Sequence, residues 1–345
     1  MHTFPERAFV GQAAALETIR VGVAGATGYA GQELLRLLAR HPRVTVVAAT
    51  SSAVTGAPRP IPALSRIWDG SVGPFSVEAI AERTEAAFLA LPDPVAAEVA
   101  PRLVAAGCRV FDLSGAFRLR DPRERARWYP ESSLLSQPAA YGLPERRAAE
   151  IRGASLVACP GCYPTAAVLA LGPLADADLL VGDVIIDAKS GVSGAGKAPS
   201  ERTHFSECHG SVAAYNVFNH RHTSEIEQEL GRGVTFVPHL VPLDRGILAT
   251  IYGRVQRGTT EADLAVVFEG AYRDASFVRL TGAALPEIKH VAYTNFCDIG
   301  WRVDSETGRF VAVSCLDNLG KGAAGQAIQN FNIAFGLDER EGLLA

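Results

Sequence analysis

The sequence predicts an α/β protein: a Rossmann-type dinucleotide-binding domain, joined to an α+β domain built on a largely antiparallel sheet. Three observations carry this expectation. The chain opens on a strand, a glycine-rich loop, a helix and a second strand, the βαβ start of a doubly wound sheet. Apolar strands then alternate with helices as far as about residue 161. Beyond that point strand-like segments follow one another with few helices between the last four.

In order, residues 18–24 (TIRVGVA) read as a buried strand, GATGYAG (25–31) as the loop, and QELLRLLARHP as a helix with Leu34, Leu35, Leu37 and Leu38 on one stripe, stopped by His41-Pro42. VTVVAAT (44–50) is the second strand, and 86–90, 109–113 and 155–158 continue the series around the helix PVAAEVAPRLVAAG. The strand-like segments of the second half are 182–191, 233–243, 246–256, 295–304 and 308–318. The final stretch, LGKGAAGQAIQNFNIAFGL, has helical spacing at Ala324, Ala327, Ile328 and Phe331 and can return to the first half. The expected organisation is a loose extension over 1–18, a nucleotide-binding domain from 19–161 plus 319–345, and a catalytic and dimerisation domain over 162–318.

Composition narrows the function. With 345 residues, 48% hydrophobic and 20% charged, there is material for two buried cores. A net charge of −4 argues against a broad nucleic-acid surface while allowing a local anion pocket. The start, MHTFPERAFV, lacks the apolar core of an export signal, so a cytoplasmic protein with reduced cysteines is expected. Residues 153–175 carry no charge, but Pro160, Gly161, Pro164, Gly172 and Pro173 break them into strand, turn and helix, and no membrane partner is expected. Cys208-His209 lacks a partner pair at zinc spacing, so no metal is expected.

Gly25, Gly28 and Gly31, with Thr27, Tyr29 and Ala30 between them, form G-x-x-G-x-x-G between a strand and a helix. A pyrophosphate must approach backbone N–H groups at a helix start, where a Cβ would block it. The acid that holds an NAD ribose stands about 20 residues further on in such folds. Here the second strand ends Thr50-Ser51-Ser52. Small hydroxyls suit a 2′-phosphate, so NADP(H) is expected over NAD(H), unless Ser51 and Ser52 merely begin a loop.

Cys159-Pro-Gly-Cys162 is a C-x-x-C. Cys159 ends a strand and reads as buried, whereas Cys162 falls at a turn whose Pro164 suits a first helical turn. A thiol there faces the positive end of a helix, which lowers its pKa and activates it. It also lies where the nucleotide half meets the second domain. Cys162 is therefore the expected nucleophile.

These motifs, PGCYPT (160–165) and GATGYAG, together with Leu91-Pro92, DLSGAFRL (112–119), SGVSGAG (190–196), HRHTSEI (220–226) and DNLGKGAAGQ (317–326), resemble those of the N-acetyl-γ-glutamyl-phosphate reductases of arginine biosynthesis, in the aspartate-semialdehyde dehydrogenase-like superfamily. The resemblance runs from about Ile19 to the end. The departures are Ser224, where the family often has Pro, and Asp93, where it often has His. The resemblance implies reduction of an acyl phosphate to a semialdehyde by NADPH through a Cys162 thioester. His222 is then the acid/base and His220 a substrate contact, or the reverse, with Thr223 or Ser224 capping the helix. Arg118 and Arg221 are expected to hold substrate anions, and Ser193 and Gly194 to offer groups to phosphate or cofactor. Asn318 is expected near the nicotinamide amide, and Lys321 either in that pocket or solvated. A homodimer or homotetramer is expected. The competing expectations are an aminoadipyl- or aspartyl-phosphate reductase, and a non-catalytic NADP-sensing regulator.

Overall fold

The computed structural model describes residues 18–129 and 138–344, so all of the expected extension but Thr18 lies outside the described residues. The first sheet is made of β1 (Ile19–Ala24), β2 (Val44–Ser51), β3 (Gly73–Pro74), β4 (Ala86–Leu89), β5 (Arg109–Asp112), β6 (Ala140–Tyr141) and β7 (Leu156–Ala158). Their spatial order is β3-β2-β1-β4-β5-β7-β6, and every pair is parallel. The chain runs outward from β1 to β3, then crosses back to place β4 on the other side of β1. That reversal opens a crevice at the carboxyl end of β1, where the glycine loop lies. Helices α1 (Tyr29–Leu38), α2 (Val77–Ala81), α3 (Asp93–Ala105), α4 (Pro122–Trp128) and α5 (Pro144–Gly153) connect the strands. Covered on both faces, β4 is buried at all four residues, which is why its sequence, AAFL, runs apolar without alternation.

The second sheet contains β8 (Leu180–Gly191), β9 (Ala213–Ala214), β10 (Thr235–Val241), β11 (Ile247–Val255), β12 (Val278–Gly282), β13 (Cys297–Asp304) and β14 (Arg309–Leu316), in the order β12-β13-β14-β11-β8-β10-β9. Four of its six pairs are antiparallel; β8–β10 and β12–β13 are parallel, so the sheet is mixed. Alternation along β8 buries Val184, Ile186 and Ala188 while Val181 and Ile185 stay exposed on the other face. The apolar α6 (Cys162–Asp176) packs across the buried face and is enclosed almost all round, with α8 (Arg221–Leu230) and α9 (Glu261–Tyr272) completing the layer, whereas the short α7 (Phe205–Cys208) has no buried residue. Among the described residues no helix is long and apolar enough to cross a membrane.

A π-helical turn (Gly320–Ala324) leads into α10 (Gly325–Ala334), all of whose residues are buried. Phe331 packs against Phe88 and Phe111 of the first sheet, 5.7 Å between ring centroids in each case. Lys321 is neither in a nucleotide pocket nor solvated. Its side chain is wholly buried, and Nζ donates to Glu145 Oε1 at 2.5 Å and to Gln329 Oε1 at 2.7 Å. The turn carries this ammonium onto α5 because the helix that follows is clamped there.

Removing one member of a buried pair leaves the other charge uncompensated. Lys321→Met is expected to lower stability to urea by about 3–5 kcal/mol, and Lys321→Met with Glu145→Leu to recover more than half of it. A loss below about 1 kcal/mol in the single variant contradicts this account of the pair.

Candidate active site

The turn after β7 delivers Cys162 as the first residue of α6. Gly161 caps the helix in an extended conformation without a side-chain bond, and the Thr165 hydroxyl donates back to the Gly161 carbonyl at 3.0 Å. The start of α8 faces this turn. His220 is its cap, accepting the His222 N–H on Nδ1 at 3.1 Å, so neither Thr223 nor Ser224 caps the helix. Ser224 instead donates to Glu124 at 2.6 Å and accepts from the Trp128 indole. The two imidazoles lie 4.7 Å apart, centroid to centroid, each with its edge or face toward Tyr163. A Cβ on Gly161 would fall 2.4 Å from His222 Nε2. The imidazole therefore lies flush against the peptide that precedes Cys162, and only glycine admits it. Cys162, His220, Arg221 and His222 border one cavity of about 810 Å³.

Glu225, three residues after His222, projects from the same helix face and is completely buried. Its carboxylate accepts from the Gly161 N–H at 2.8 Å, the Tyr141 hydroxyl at 2.9 Å and Arg118 Nη1 at 3.5 Å. Arg118 is buried as well. Its Nε donates to the Cys159 carbonyl at 2.7 Å and its Nη2 to the Leu113 carbonyl at 2.8 Å. Three of its five N–H donors thus brace the cysteine turn, Glu225 and the Leu113 segment. Glu225 was not singled out from sequence, although its spacing from His222 was the available signal.

Burial also reverses one electrostatic expectation. It pushes the Cys162 thiol up to about 11, against the pull of the Arg118 charge and the Tyr163 N–H. Burial, then the neighbouring cations, hold His222 well below its ordinary value and bring His220 down to about 4. The site at rest pairs a thiol with neutral imidazoles. Among the described residues, His222 Nδ1 is buried without a hydrogen-bond partner.

Arg221 reaches across to Asp93 of the first half in an ion pair, half-exposed at the cavity rim. Arg202, which sequence reading passed over in an aperiodic stretch, borders the same cavity and lies 5.2 Å over the Tyr215 ring. The SGVSGAG segment is less open than expected. The Val192 and Ser193 N–H groups donate to the Leu243 and Asp244 carbonyls, and a Cβ on Gly194 would sit 2.9 Å from Ser190 Oγ. Asn318 is a tie, not a free amide: Nδ2 donates to Ser193 Oγ at 2.9 Å and Oδ1 accepts the Gly246 N–H at 2.7 Å.

At the glycine loop, Gly25 has φ +84° and a Cβ there would lie 2.1 Å from the Ala90 carbonyl, while one on Gly31 would lie 2.2 Å from the Gly25 carbonyl. Gly28 caps α1 with no side-chain bond, and Tyr29 and Ala30 are its first residues, so among the described residues no side chain caps the N–H groups of the helix start. Thr27 Oγ1 and Ser51 Oγ share a hydrogen bond of 2.6 Å; Ser52 is exposed, and Thr50 Oγ1 is buried without a partner among the described residues. An uncapped helix start, glycines that forbid Cβ atoms and an orphan hydroxyl fit the phosphates and ribose of a dinucleotide. Lys197, also missed from sequence, extends from the second half to donate to the Thr27 carbonyl at 3.2 Å. A Cβ on Gly322 would fall 2.8 Å from Cys162 Cβ, so the segment leading into α10 passes directly beside the sulfur-bearing residue.

A thiol held near pKa 11 is alkylated only through its small thiolate fraction. Iodoacetamide modification of Cys162 is therefore expected to accelerate about tenfold per pH unit from about pH 6 to 9. A rate already constant below pH 7 would reveal a preformed thiolate–imidazolium pair and contradict this electrostatic description.

Comparison with known proteins agrees with this geometry. The model described as "Semialdehyde dehydrogenase, NAD binding domain" matches residues 20–154, and "Semialdehyde dehydrogenase, dimerisation domain" matches 162–318. The N-acetyl-gamma-glutamyl-phosphate reductase of Desulforudis audaxviator is 45% identical over 339 residues, covering 94% of this chain and 98% of its own. Its counterpart in Pelotomaculum thermopropionicum is 46% identical over 338 residues, covering 94% and 97%. Among solved structures, aspartate semialdehyde dehydrogenase II of Vibrio cholerae superposes with a TM-score of 0.71 at 18% identity, covering 93% of this chain and 99% of its own. The Candida albicans enzyme with NADP gives 0.66 at 16%, covering 92% and 98%. At such identities these structures speak for the fold, whereas the sequence relatives decide the family: this chain belongs to the N-acetyl-gamma-glutamyl-phosphate reductases, a branch of the semialdehyde dehydrogenases.

Proposed function

We propose that this protein reduces N-acetyl-γ-glutamyl phosphate to N-acetylglutamate 5-semialdehyde and phosphate, with NADPH as reductant and Cys162 as nucleophile. The observation that carries the proposal is the cysteine at the start of α6, with the His222 ring laid on Gly161 beside it, at the border of an 810 Å³ cavity. The relatives at 45% and 46% identity bear the name of that activity.

Arg202 and Arg221, the cations at the rim, attract the substrate's carboxylate and phosphate, and His220 contacts it beside them. Sγ attacks the acyl carbonyl as the thiol proton passes to the His222 imidazole. The bond to the phosphate oxygen breaks, and phosphate leaves with that electron pair and takes up a proton from solvent, giving a thioester. Bound at the glycine loop, NADPH supplies the hydride that reduces it. The imidazolium returns its proton to the new alkoxide. Collapse of the hemithioacetal frees the aldehyde, and His222 moves the hydroxyl proton back to sulfur. Because the imidazole rests neutral and the sulfur rests as thiol, proton transfer is tied to bond formation instead of preceding it. Glu225 and Arg118 act through the turn that holds Cys162 and are positioning residues.

NADP(H), not NAD(H), is the cofactor in this proposal, because Thr50, Ser51 and Ser52 at the end of β2 carry no carboxylate to repel a 2′-phosphate. The working unit is a homodimer or homotetramer in the cytoplasm. It comprises a nucleotide domain of residues 19–161 and 319–345 and a catalytic and dimerisation domain of 162–318; the match to a dimerisation model supports association.

Run in reverse, with phosphate and NADP+, the enzyme is expected to oxidise N-acetylglutamate 5-semialdehyde in preference to the aspartate and aminoadipate semialdehydes. Cys162→Ser abolishes turnover with cofactor binding retained, and preference for another semialdehyde or activity in Cys162→Ser contradicts the proposal. His222→Asn is expected to lower kcat by about 10²- to 10⁴-fold; a loss of similar size in His220→Asn, with little in His222→Asn, would exchange their roles.

A further inference from the structure

The serines that end β2 hold a turn together but bring no positive charge to it. Ser51 Oγ is shared between Thr27 Oγ1 at 2.6 Å and the Ala53 N–H at 3.2 Å. A phosphomonoester carries close to two negative charges at neutral pH, and hydroxyls alone do not balance them. A cation stands at this turn. Arg59 Nη2 donates to the Ala53 carbonyl at 3.2 Å, two residues beyond Ser51. Its backbone is fixed as well: Arg59 N–H donates to the Val72 carbonyl at 3.0 Å, and Val72 N–H returns to the Arg59 carbonyl at 2.8 Å. The next residue, Gly73, pairs with Thr50 in the sheet. The arginine is thus registered to the same strand end as Ser51, one residue outside the edge of the sheet.

The side chain is exposed, and the Ala53 carbonyl is its one hydrogen-bond partner among the described residues. Every other donor of its planar fork is available, a geometry that matches phosphate oxygens two at a time. A surface arginine with no role would be free to sweep its surroundings. This one is tethered at both its backbone and its guanidinium, toward the turn where a ribose would lie if the pyrophosphate sat on Gly28.

We infer that Arg59 is the residue that selects the phosphorylated cofactor, binding the 2′-phosphate of NADP(H) with its free guanidinium donors above the Ser51-Ser52 turn. This inference rests on the cofactor assignment under the proposed function and adds the residue that enforces it. The contact is charge-assisted and solvent-facing, so the preference it creates weakens as salt rises.

Fluorescence titration of NADPH and NADH against the wild type, Arg59→Gln and Arg59→Lys tests it. Arg59→Gln is expected to weaken NADPH by about 10- to 100-fold and leave NADH unchanged, with Arg59→Lys in between. Competition by 2′,5′-ADP and 5′-AMP shows the same split. If wild type prefers NADPH and Arg59→Gln keeps that preference in full, or loses NADPH and NADH affinity equally, the assignment of Arg59 is overturned and the cofactor assignment stands. If wild type binds NADH as tightly as NADPH, both are overturned.

Discussion

The buried carboxylate of Glu225 is the constraint on which the catalytic geometry depends. It receives the N–H of Gly161, the hydroxyl of Tyr141 and a nitrogen of Arg118, and so joins α8, the cysteine turn and the first half of the chain at one point. Burying a carboxylate is costly unless such donors surround it. The same helix that carries it carries His222 one turn earlier, so fixing Glu225 fixes the imidazole against Gly161. Arg118 then extends the network to the Cys159 and Leu113 carbonyls, clamping the turn from the other side. Cys162 is held by its backbone, and its sulfur is left for chemistry.

A second set of ties closes the seam between the two halves. Arg245, in the loop between β10 and β11, bonds Glu33 of α1 at 3.1 Å and Asp317 at 2.9 Å. Arg221 meets Asp93, Lys197 meets the Thr27 carbonyl, and Gly322 lets the segment before α10 graze Cys162. A nucleotide at the glycine loop and a substrate at the cysteine would thus lie across one braced boundary. The tilted and edge-on packing of Phe331 against Phe88 and Phe111 anchors the return of the chain to the first sheet.

Most of the architecture was legible because long apolar strands and the leucine stripe of α1 have periodicities that tertiary context does not override. The two-residue strands β3, β6 and β9 were not, since two residues have no period. β12, with sequence VRLTG, mixes charged and small residues, and its parallel pairing with β13 is a long-range choice. At the site, Cys162, His220 and His222 were legible from type and neighbourhood. The internal ties of Arg118, Asn318 and Lys321 were not legible for a common reason: a polar residue in a glycine-rich motif suggests a ligand, and sequence does not display the partners these side chains bond within the fold. The upward push on the Cys162 thiol was not legible because a helix terminus can be read from sequence, whereas burial is a tertiary property.

The central claim is a covalent bond from substrate to Cys162, formed before any reduction. Mixing the protein with N-acetyl-γ-glutamyl phosphate in the absence of cofactor and examining intact protein and peptides by mass spectrometry tests it directly. The account predicts one acyl group per chain on the peptide bearing Cys162, with a matching burst of phosphate. Phosphate release that waits for NADPH, or an acyl group on any other residue, would contradict it.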